Sequence, residues 1–461
     1  MKRRLPILVL LVGALSIVSG TAVAAPMRPD ACMAHSTALL EALVHADYTG
    51  AVAGFDPLLT RLLGAGRLKT AWTGLQEQEG VYVSHAAVQK RFMAGQPVYV
   101  AGLVFTRAAV DMVTSCDGRG RIDGLHFVPP ARVVASTQES APSGVQARVE
   151  ADGVRVVPLD VSTPVGPLHG ALTLPPGQGP FPAVVLVAGS GAHDMDETVG
   201  PNKPFRDIAE GLARAGIASL RYDKRTFDYP TRWDAKSGAV IDAEVTDDAV
   251  AAARLLARQK AVDPRRVFVL GHSLGAMMAP RIGRRDPRLA GLILMAAPAR
   301  GIFDVLEQQA REQLAKEGRP PAVIAQTVKG DEREHRLLSA VAPGQAAPPG
   351  KFGGVPQAYW LSWSRVDAIA DAKKLSMPML VLQGGADFQV SPTLDFARWK
   401  RELAGRPDTT FHLYPGLSHL FMPAGKSGTL ADYATRGHVD ARVIGDVAAW
   451  IKAKPGVAGV R

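Results

Sequence analysis

The sequence predicts an α/β fold: a mostly parallel sheet of eight strands with helices on both faces, preceded by a small α+β domain. Beyond about residue 150, short aliphatic runs alternate with amphipathic segments of helical periodicity. This alternation is typical of parallel sheets, because each crossover between parallel strands is a helix that covers one sheet face. A chain of 461 residues is also too long for one ordinary core, so two domains are expected.

The predicted sheet and its helices follow from the apolar pattern of the second domain, residues 151–461. Eight runs have the composition of buried strands, at 154–161, 169–174, 183–187, 217–222, 267–270, 292–295, 379–382 and 410–414. Five segments have the periodicity of amphipathic helices, at 204–215, 246–259, 274–284, 393–403 and 442–452. The last predicted strands are followed by short polar loops, which is where functional groups of such sheets are found.

Residues 25–130 predict the small α+β domain. Helical patterns at 38–43 and 55–63 come first, and strand-like runs begin near residue 81. Residues 131–150 are polar and rich in turn-forming residues, which predicts a linker. No cluster of His, Asp, Glu or Cys marks a functional site in this domain.

The first 24 residues are typical of a cleaved secretory signal peptide. A basic start at Lys2, Arg3 and Arg4 precedes an apolar stretch, and small residues end the segment at Ala24. The apolar stretch is shorter than the roughly 20 residues that a membrane anchor needs. We therefore expect a periplasmic or secreted protein without stable membrane insertion.

Cys32 and Cys116 are the two cysteines of the chain, and both lie in the small domain. Export would carry them into an oxidising compartment, where a disulfide between them is stable. The alternative is a pair of unpaired, buried thiols. The sequence alone leaves both open.

Composition excludes several classes of function. Hydrophobic residues make up 47% and charged residues 21% of the chain, as in ordinary globular proteins. The net charge of +10 is dispersed and lacks a basic run with interleaved aromatics, so no nucleic-acid partner is expected. The 11 histidines are scattered without a metal-binding spacing, and no phosphate-binding glycine loop occurs, so neither a metal nor a cofactor is predicted.

A candidate nucleophile, Ser273, lies in the motif Gly271-His272-Ser273-Leu274-Gly275, between a predicted strand and a predicted helix. Serine hydrolases raise their serine on a sharp turn of this kind, where flanking glycines avoid backbone collisions. The turn also places free helix amides beside the serine, and these stabilise an oxyanion. We predict Ser273 as the nucleophile and the Leu274 amide as one oxyanion donor, because the strand and helix context supports what the short motif alone does not.

A serine nucleophile needs a base and a group that orients the base, and enzymes built on such turns supply them in the order serine, acid, histidine. Asp387 follows the strand 379–382, and His419 follows the strand 410–414. Asp387 has an alternative interpretation as a turn or helix-cap carboxylate, and a loop histidine is often merely solvated. Chain order and placement favour a Ser273, Asp387 and His419 triad.

A second oxyanion donor is expected from the loop that follows the strand 183–187. Its small residues allow a backbone amide to approach a substrate. The Ser190 amide is the first candidate and the Gly191 amide the second. An ordinary tight turn is the alternative.

Three segments resemble a family of bacterial α/β-hydrolase esterases: Gly189-Ser190-Gly191, residues 194–205 (DMDETVGPNKPF) and residues 220–225 (LRYDKR). With the triad, the similarity spans about residues 150–455. It implies the α/β-hydrolase fold, carboxylesterase activity on short acyl esters, and a relation to dienelactone hydrolases, acyl peptidases and acyltransferases. Two departures are Ala188, where many relatives carry histidine, and Met195, where arginine is common.

The small domain resembles the cone-shaped α+β domains of nuclear-transport-factor-like type, through the closing strand Gly124-Leu125-His126-Phe127. This resemblance implies a fold and no activity.

Residues 301–363 interrupt the strand and helix alternation with helical sequence and a loop rich in proline and glycine, and no strand is predicted there. Such an insertion at the sheet rim predicts a cap over the active site, with an inert surface insertion as the alternative. The aromatic residues at its end, Tyr359, Trp360 and Trp363, either line an acyl pocket or pack the cap. Residues 223–225 (DKR) are expected to form ion pairs that hold the loop 194–205, with a role in the site as the alternative.

These observations predict a serine hydrolase that cleaves small-molecule esters with short acyl groups through an acyl-enzyme intermediate. A peptidase or an acyltransferase with the same triad is the first alternative. The second is a non-catalytic envelope-binding protein built on a hydrolase scaffold. The natural substrate and the oligomeric state are not indicated by the sequence.

Overall fold

The structure is a computed structural model that describes residues 31–93, 96–117, 119–128, 146–229, 240–316, 318, 321–349, 351–352, 355–425, 428, 432–433 and 435–457. The proposed signal peptide and residues 131–145 of the expected linker lie outside these residues, so both stay predictions. The chain divides into two compact units, Met1–Ser140 with Pro349–Gln357, and Ala141–Pro348 with Ala358–Arg461.

The first unit is a small α+β structure in which helices precede an antiparallel sheet. The helices are α1 (Ala31–Val44), α2 (Tyr48–Ala51), α3 (Pro57–Leu62) and α4 (Ala65–Glu79). The strands are β1 (Tyr82–His85), β2 (Gln89–Met93), β3 (Gln96–Phe105), β4 (Ala109–Cys116) and β5 (Ile122–Val128). They pair in the order β1-β3-β4-β5, and β2 also pairs with β3. Its likeness to nuclear-transport-factor-like domains stays a prediction.

The core of the first unit forms where apolar helix faces meet the sheet. Its buried side chains include Leu39, Leu43, Leu68, Trp72, Leu103 and Met112. A disulfide joins Cys32 on α1 to Cys116 at the end of β4, with the two Cα atoms 6.0 Å apart. The disulfide is thus formed, and the alternative of two unpaired thiols is wrong.

The second unit is built on a sheet of nine strands. They are β6 (Arg148–Val149), β7 (Arg155–Pro158), β10 (Gly170–Leu174), β11 (Phe181–Val187), β12 (Ala218–Tyr222), β13 (Val262–His272), β14 (Gly291–Met295), β17 (Met379–Gly384) and β18 (Thr409–Tyr414). Their order is β18-β17-β14-β13-β11-β12-β10-β7-β6. The strands from β18 to β12 are parallel, and β10, β7 and β6 follow antiparallel at the other edge.

The eight predicted strands are all present, with two differences at the antiparallel edge. The first predicted strand, 154–161, ends early at Pro158, and a separate hairpin follows, formed by β8 (Val161–Thr163) and β9 (Gly166–Leu168). Proline lacks the N–H that would continue the ladder. The ninth strand, β6, lies within the expected linker 131–150, so that segment is not all linker.

The helices of the second unit include all five predicted segments. They are α5 (Pro204–Arg214), α6 (Arg225–Asp228), α7 (Asp248–Ala257), α8 (Leu274–Arg285), α9 (Ile302–Lys316), α10 (Pro321–Ser339), α11 (Gln357–Ser364), α12 (Ala368–Lys373), α13 (Ala397–Glu402) and α14 (Ala441–Lys452). Strand β14 is buried along its whole length, as expected for the middle of a sheet covered on both faces.

The predicted cap, residues 301–363, contains α9 and α10, and Arg311 of α9 forms an ion pair with Glu332 of α10. The expectation that it has no strand is wrong. A short hairpin pairs β15 (Lys351–Phe352) with β16 (Val355–Pro356). These strands are two residues long and are held by each other's backbone, so no hydrophobic alternation reveals them.

Candidate active site

The turn that carries Ser273 is fixed by the two glycines around it. A Cβ at Gly271 would overlap the carbonyl oxygen of Gly275, and a Cβ at Gly275 would overlap that of Val187 on β11. Ser273 itself has φ 53°, in the left-handed region that non-glycine residues rarely occupy. Such strain persists where the surrounding structure enforces it, and it is concentrated at functional sites.

Backbone hydrogen bonds hold this turn on both sides. The Ser273 N–H donates to Met295 O at the end of β14 over 2.9 Å, and Ser273 O accepts the Met277 N–H within α8. Ser273 therefore stands at the carboxyl end of β13 and at the N-terminus of α8. Leu274 is the first residue of α8, so the helix offers its amide no carbonyl partner four residues earlier.

His419 and Asp387 form a buried hydrogen-bonded pair, with 2.8 Å between His419 Nδ1 and Asp387 Oδ2. The Gln389 and Val390 N–H groups donate to Asp387 Oδ1, and the Gln383 side-chain amide donates to Oδ2. Asp387 therefore makes the hydrogen bonds of a turn carboxylate, as its alternative interpretation expects, and also contacts His419. Because a carboxylate only accepts, His419 carries its proton on Nδ1 and leaves Nε2 free as a base.

A cavity of about 140 Å³ is lined by three of the six predicted site residues, and Asp387 and Leu274 are not among its described lining residues. Ser273, His419 and Ser190 line it, and so does Gln389 of the loop that follows Asp387. Gly191, the second oxyanion candidate, has φ 108° and is not among the lining residues that the structure describes. The geometry therefore favours Ser190 over Gly191.

Two charged residues that the sequence analysis did not assign to the site also line the cavity. Glu197 Oε1 accepts the Gly189 N–H over 2.6 Å and contacts His272 Nδ1 at 2.9 Å. His272 Nε2 is 2.9 Å from the carbonyl oxygen of His419, to which it donates. Glu197 and His272 are both buried, and both line the cavity.

The pKa shifts of this pair favour its charged form. Burial raises the pKa of Glu197, but the positive charge and hydrogen bond of His272 outweigh it, and the pKa lies below its usual value. Burial lowers the pKa of His272, but the charge and hydrogen bond of Glu197 outweigh it, and the pKa lies above its usual value. We therefore treat the pair as imidazolium and carboxylate.

The predicted oxyanion loop, Gly189-Ser190-Gly191, has a second buried contact, from Lys224. Its ammonium donates to Gly189 O over 2.7 Å and pairs with Glu244 Oε1 at 3.0 Å. The third contact is from His193, whose Nε2 donates to Ser190 O over 2.8 Å. Burial lowers the pKa of His193.

The segment 194–205 is held by ion pairs, but these come from residues other than the expected 223–225. Asp196 pairs with Arg221 at 2.8 Å and with Lys203 at 3.0 Å. Asp223 accepts the Met195 N–H. The ion pairs of Lys224 and Arg225 are with Glu244 and Asp248, which lie outside this loop, so the predicted ion-pair role of residues 223–225 is wrong for these two.

The aromatic residues at the end of the predicted cap make packing contacts. Tyr359 donates to Glu244, and the rings of Trp360 and Trp363 are stacked 5.5 Å apart. None of the three is among the described residues that line the cavity at Ser273. The cap reaches the site through α9, where the side chain of Gln309 donates to Gln389 O over 2.8 Å.

Within the described ranges, no three His, Cys, Asp or Glu side chains are arranged to hold a metal ion. Across the same ranges, every helix is too short or too polar to cross a bilayer.

Comparison with known proteins identifies the family. The sequence profile of the alpha/beta hydrolase family matches residues 184–427. Esterase EstD from Thermotoga maritima is 35% identical over 389 residues, which cover 84% of this chain and 88% of that protein. Polyketide transferase ATR5 from Stachybotrys chlorohalonatus is 31% identical over 115 residues, 24% of this chain and 37% of that protein. The solved structure of Est1E from Butyrivibrio proteoclasticus is 14% identical with a TM-score of 0.42, over 64% of this chain and 99% of that one. The profile match and the similarity to EstD over most of both chains show that this protein belongs to the alpha/beta hydrolase family.

Proposed function

We propose that the protein is an esterase that hydrolyses carboxylic esters with short acyl groups, with Ser273 as nucleophile, His419 as general base and Asp387 as the residue that orients the histidine. The observation that carries the proposal is the buried contact of His419 Nδ1 with Asp387, together with the cavity that His419 and Ser273 both line. The similarity to a protein named esterase over 84% of the chain supports the same activity.

The reaction follows from these positions. His419 Nε2 takes the Ser273 hydroxyl proton while Oγ attacks the ester carbonyl carbon, and the carbonyl oxygen becomes an oxyanion. The Leu274 and Ser190 amides donate to that oxyanion. The C–O bond of the leaving group then breaks, and the alcohol departs with the proton from His419. Water attacks the acyl-enzyme with His419 again as base, which releases the acid and restores Ser273.

The size of the cavity supports a small acyl group. Its volume of about 140 Å³ is below the roughly 300–1,000 Å³ of pockets that hold drug-sized ligands. We therefore expect kcat/KM to be highest for acetyl and butyryl esters and to fall for octanoyl and longer chains.

Turnover of p-nitrophenyl esters from acetate to decanoate by the wild type and Ser273→Ala tests the proposal. We expect Ser273→Ala to lose at least about 10³-fold in kcat, because the nucleophile is removed. The matched control is Ser162→Ala, at an exposed serine on β8, which should retain full activity. Equal rates for Ser273→Ala and wild type, or faster turnover of aminoacyl amides than of esters, would overturn it.

We also propose that residues 1–24 are a signal peptide and that the mature protein is periplasmic or secreted. The disulfide between Cys32 and Cys116 supports this, because such bonds persist in oxidising compartments. N-terminal sequencing of protein recovered from the periplasm of an expressing bacterium should begin at Ala25. Recovery of the unprocessed chain in the cytoplasm would contradict this.

A further inference from the structure

The two peptides on either side of the Gly189 Cα atom are each held by a charged side chain rather than by neighbouring backbone. Lys224 Nζ donates to Gly189 O over 2.7 Å, and Glu197 Oε1 accepts the Gly189 N–H over 2.6 Å. Both side chains are buried, with 4% of Lys224 and 1% of Glu197 exposed. Burying charges is costly unless each is paired, so two of them on one loop residue call for an explanation.

The contact of Lys224 sets the direction of the oxyanion donor. In a planar trans peptide the C=O and the following N–H point in opposite directions. An ammonium that holds the Gly189 carbonyl therefore turns the Ser190 N–H to the side away from Lys224. That N–H donates to no group among the residues that the structure describes. It is thus available to a substrate oxyanion beside Ser273.

Glu197 links the preceding peptide, between Ala188 and Gly189, to the other parts of the site. Its carboxylate contacts His272, which precedes Ser273 in the chain and donates to the carbonyl oxygen of His419. Glu197 also has φ 52°, a left-handed conformation that is strained for a glutamate. One carboxylate therefore connects the oxyanion loop, the turn of the nucleophile and the loop of the base.

We propose that Lys224 and Glu197 are positioning residues that fix the orientation of the Ser190 amide, so that it donates to the oxyanion in the transition state. The inference rests on the proposed esterase function and extends it to two residues that act through their contacts with Gly189. This role distinguishes Lys224 and Glu197 from residues whose ion pairs only stabilise the fold, such as Arg300 with Asp395.

The first test removes each positioning contact and separates ground-state from transition-state effects. Loss of one oxyanion donor costs about 10²–10³-fold in kcat in other hydrolases. A donor that is present but misoriented should cost a smaller factor in kcat. We expect Lys224→Met and Glu197→Leu to lower kcat on p-nitrophenyl butyrate by roughly 10–100-fold, with KM changed less than about threefold. Glu197→Gln, which retains an acceptor for the Gly189 N–H, should recover most of the kcat.

The second measurement is the inhibition constant of a trifluoromethyl ketone, whose tetrahedral adduct with Ser273 carries an oxyanion. The inhibition constant should rise in Lys224→Met and Glu197→Leu by the same factor by which kcat falls. The matched control, Arg300→Met, removes a partly buried ion pair that does not line the cavity, and it should change neither quantity beyond about threefold. A merely structural role would lower the melting temperature and leave the inhibition constant and kcat of the folded enzyme unchanged.

Lys224→Met leaves the buried Glu244 carboxylate without its positive partner, and this variant could fail to fold for that reason. The double variant Lys224→Met/Glu244→Gln then decides the question, since removing both charges together avoids that penalty. Folded variants with the kcat and inhibitor affinity of Arg300→Met would overturn the inference while the Ser273→Ala result still supported the esterase. Full activity of Ser273→Ala would overturn the proposed function itself.

Discussion

Reduction of the disulfide should destabilise the first unit by several kcal/mol. Cys32 on α1 and Cys116 on β4 are 84 residues apart in sequence, so the bond closes most of the described part of this unit into one loop. The test compares the oxidised protein, the reduced protein and the variant Cys32→Ser/Cys116→Ser.

The magnitude follows from the chain entropy that the bond removes from the unfolded state. For a separation of 84 residues this entropy is about 15 cal/mol/K, or about 4.5 kcal/mol at 25 °C. A unit of this size shifts in melting temperature by roughly 4–8 °C per kcal/mol, so the loss corresponds to roughly 20–35 °C.

Hydrogen exchange read by mass spectrometry resolves the two units in one sample. Peptides from α1 and β4 should lose about 4.5 kcal/mol of protection when the bond is reduced or removed. Peptides from β13 and β14 of the second unit should not change, and reductant should have no effect on the double serine variant. Esterase activity should persist, because all the proposed catalytic residues lie in the second unit. A loss below about 1 kcal/mol in the α1 and β4 peptides would refute the reasoning.

Three further predictions concern the second unit. Gly275→Ala should lower kcat at least about 100-fold in the p-nitrophenyl butyrate assay, because the new Cβ overlaps a β11 carbonyl and displaces the nucleophile. Asp387→Asn should lower kcat by about 10³–10⁴-fold in the same assay, since an amide can favour the wrong tautomer of His419. His272→Gln should reduce the melting temperature most between about pH 4.5 and 6.5, the ordinary pKa values of Glu197 and His272. The pair's contribution falls as acid protonates Glu197 through its lowered pKa, and as base deprotonates His272 through its raised pKa.

Each of these has its own control and its own contrary result. Gly445→Ala in α14, where a Cβ meets nothing within 4 Å, should leave activity intact. Activity of Gly275→Ala near that of Gly445→Ala would contradict the steric argument. A wild-type rate for Asp387→Asn would exclude the orienting role. A melting-temperature difference for His272→Gln that does not vary between pH 4 and pH 9 would exclude the charged pair.

Much of the sheet was predictable because its strands carry local patterns. The central strands are continuous aliphatic runs, and the turn at Ser273 is marked by glycines whose positions are sterically required. β6 was not predictable, because Arg148 and Val149 form a strand only through pairing with β7 at the sheet edge. The predicted strand 154–161 wrongly continued past Pro158, although the proline in the sequence could have indicated its end, since proline interrupts a ladder.

The predicted site residues that come together are those with a recognisable local setting. Ser273 follows a strand, as do the loops that carry Asp387 and His419, and strand ends of a parallel sheet meet at one edge. Glu197 was missed because its proposed role depends on contact with His272, 75 residues away. Its only local sign is a strained backbone, which the sequence does not reveal.

Trapping of the acyl-enzyme tests the central claim most directly. The wild type is mixed with p-nitrophenyl butyrate, quenched in acid within milliseconds, digested and analysed by mass spectrometry. The account predicts a butyryl group on Ser273, formed together with the first equivalent of p-nitrophenol and absent from Ser273→Ala. Ester hydrolysis with Ser273 unmodified, or with the acyl group on another residue, would contradict it.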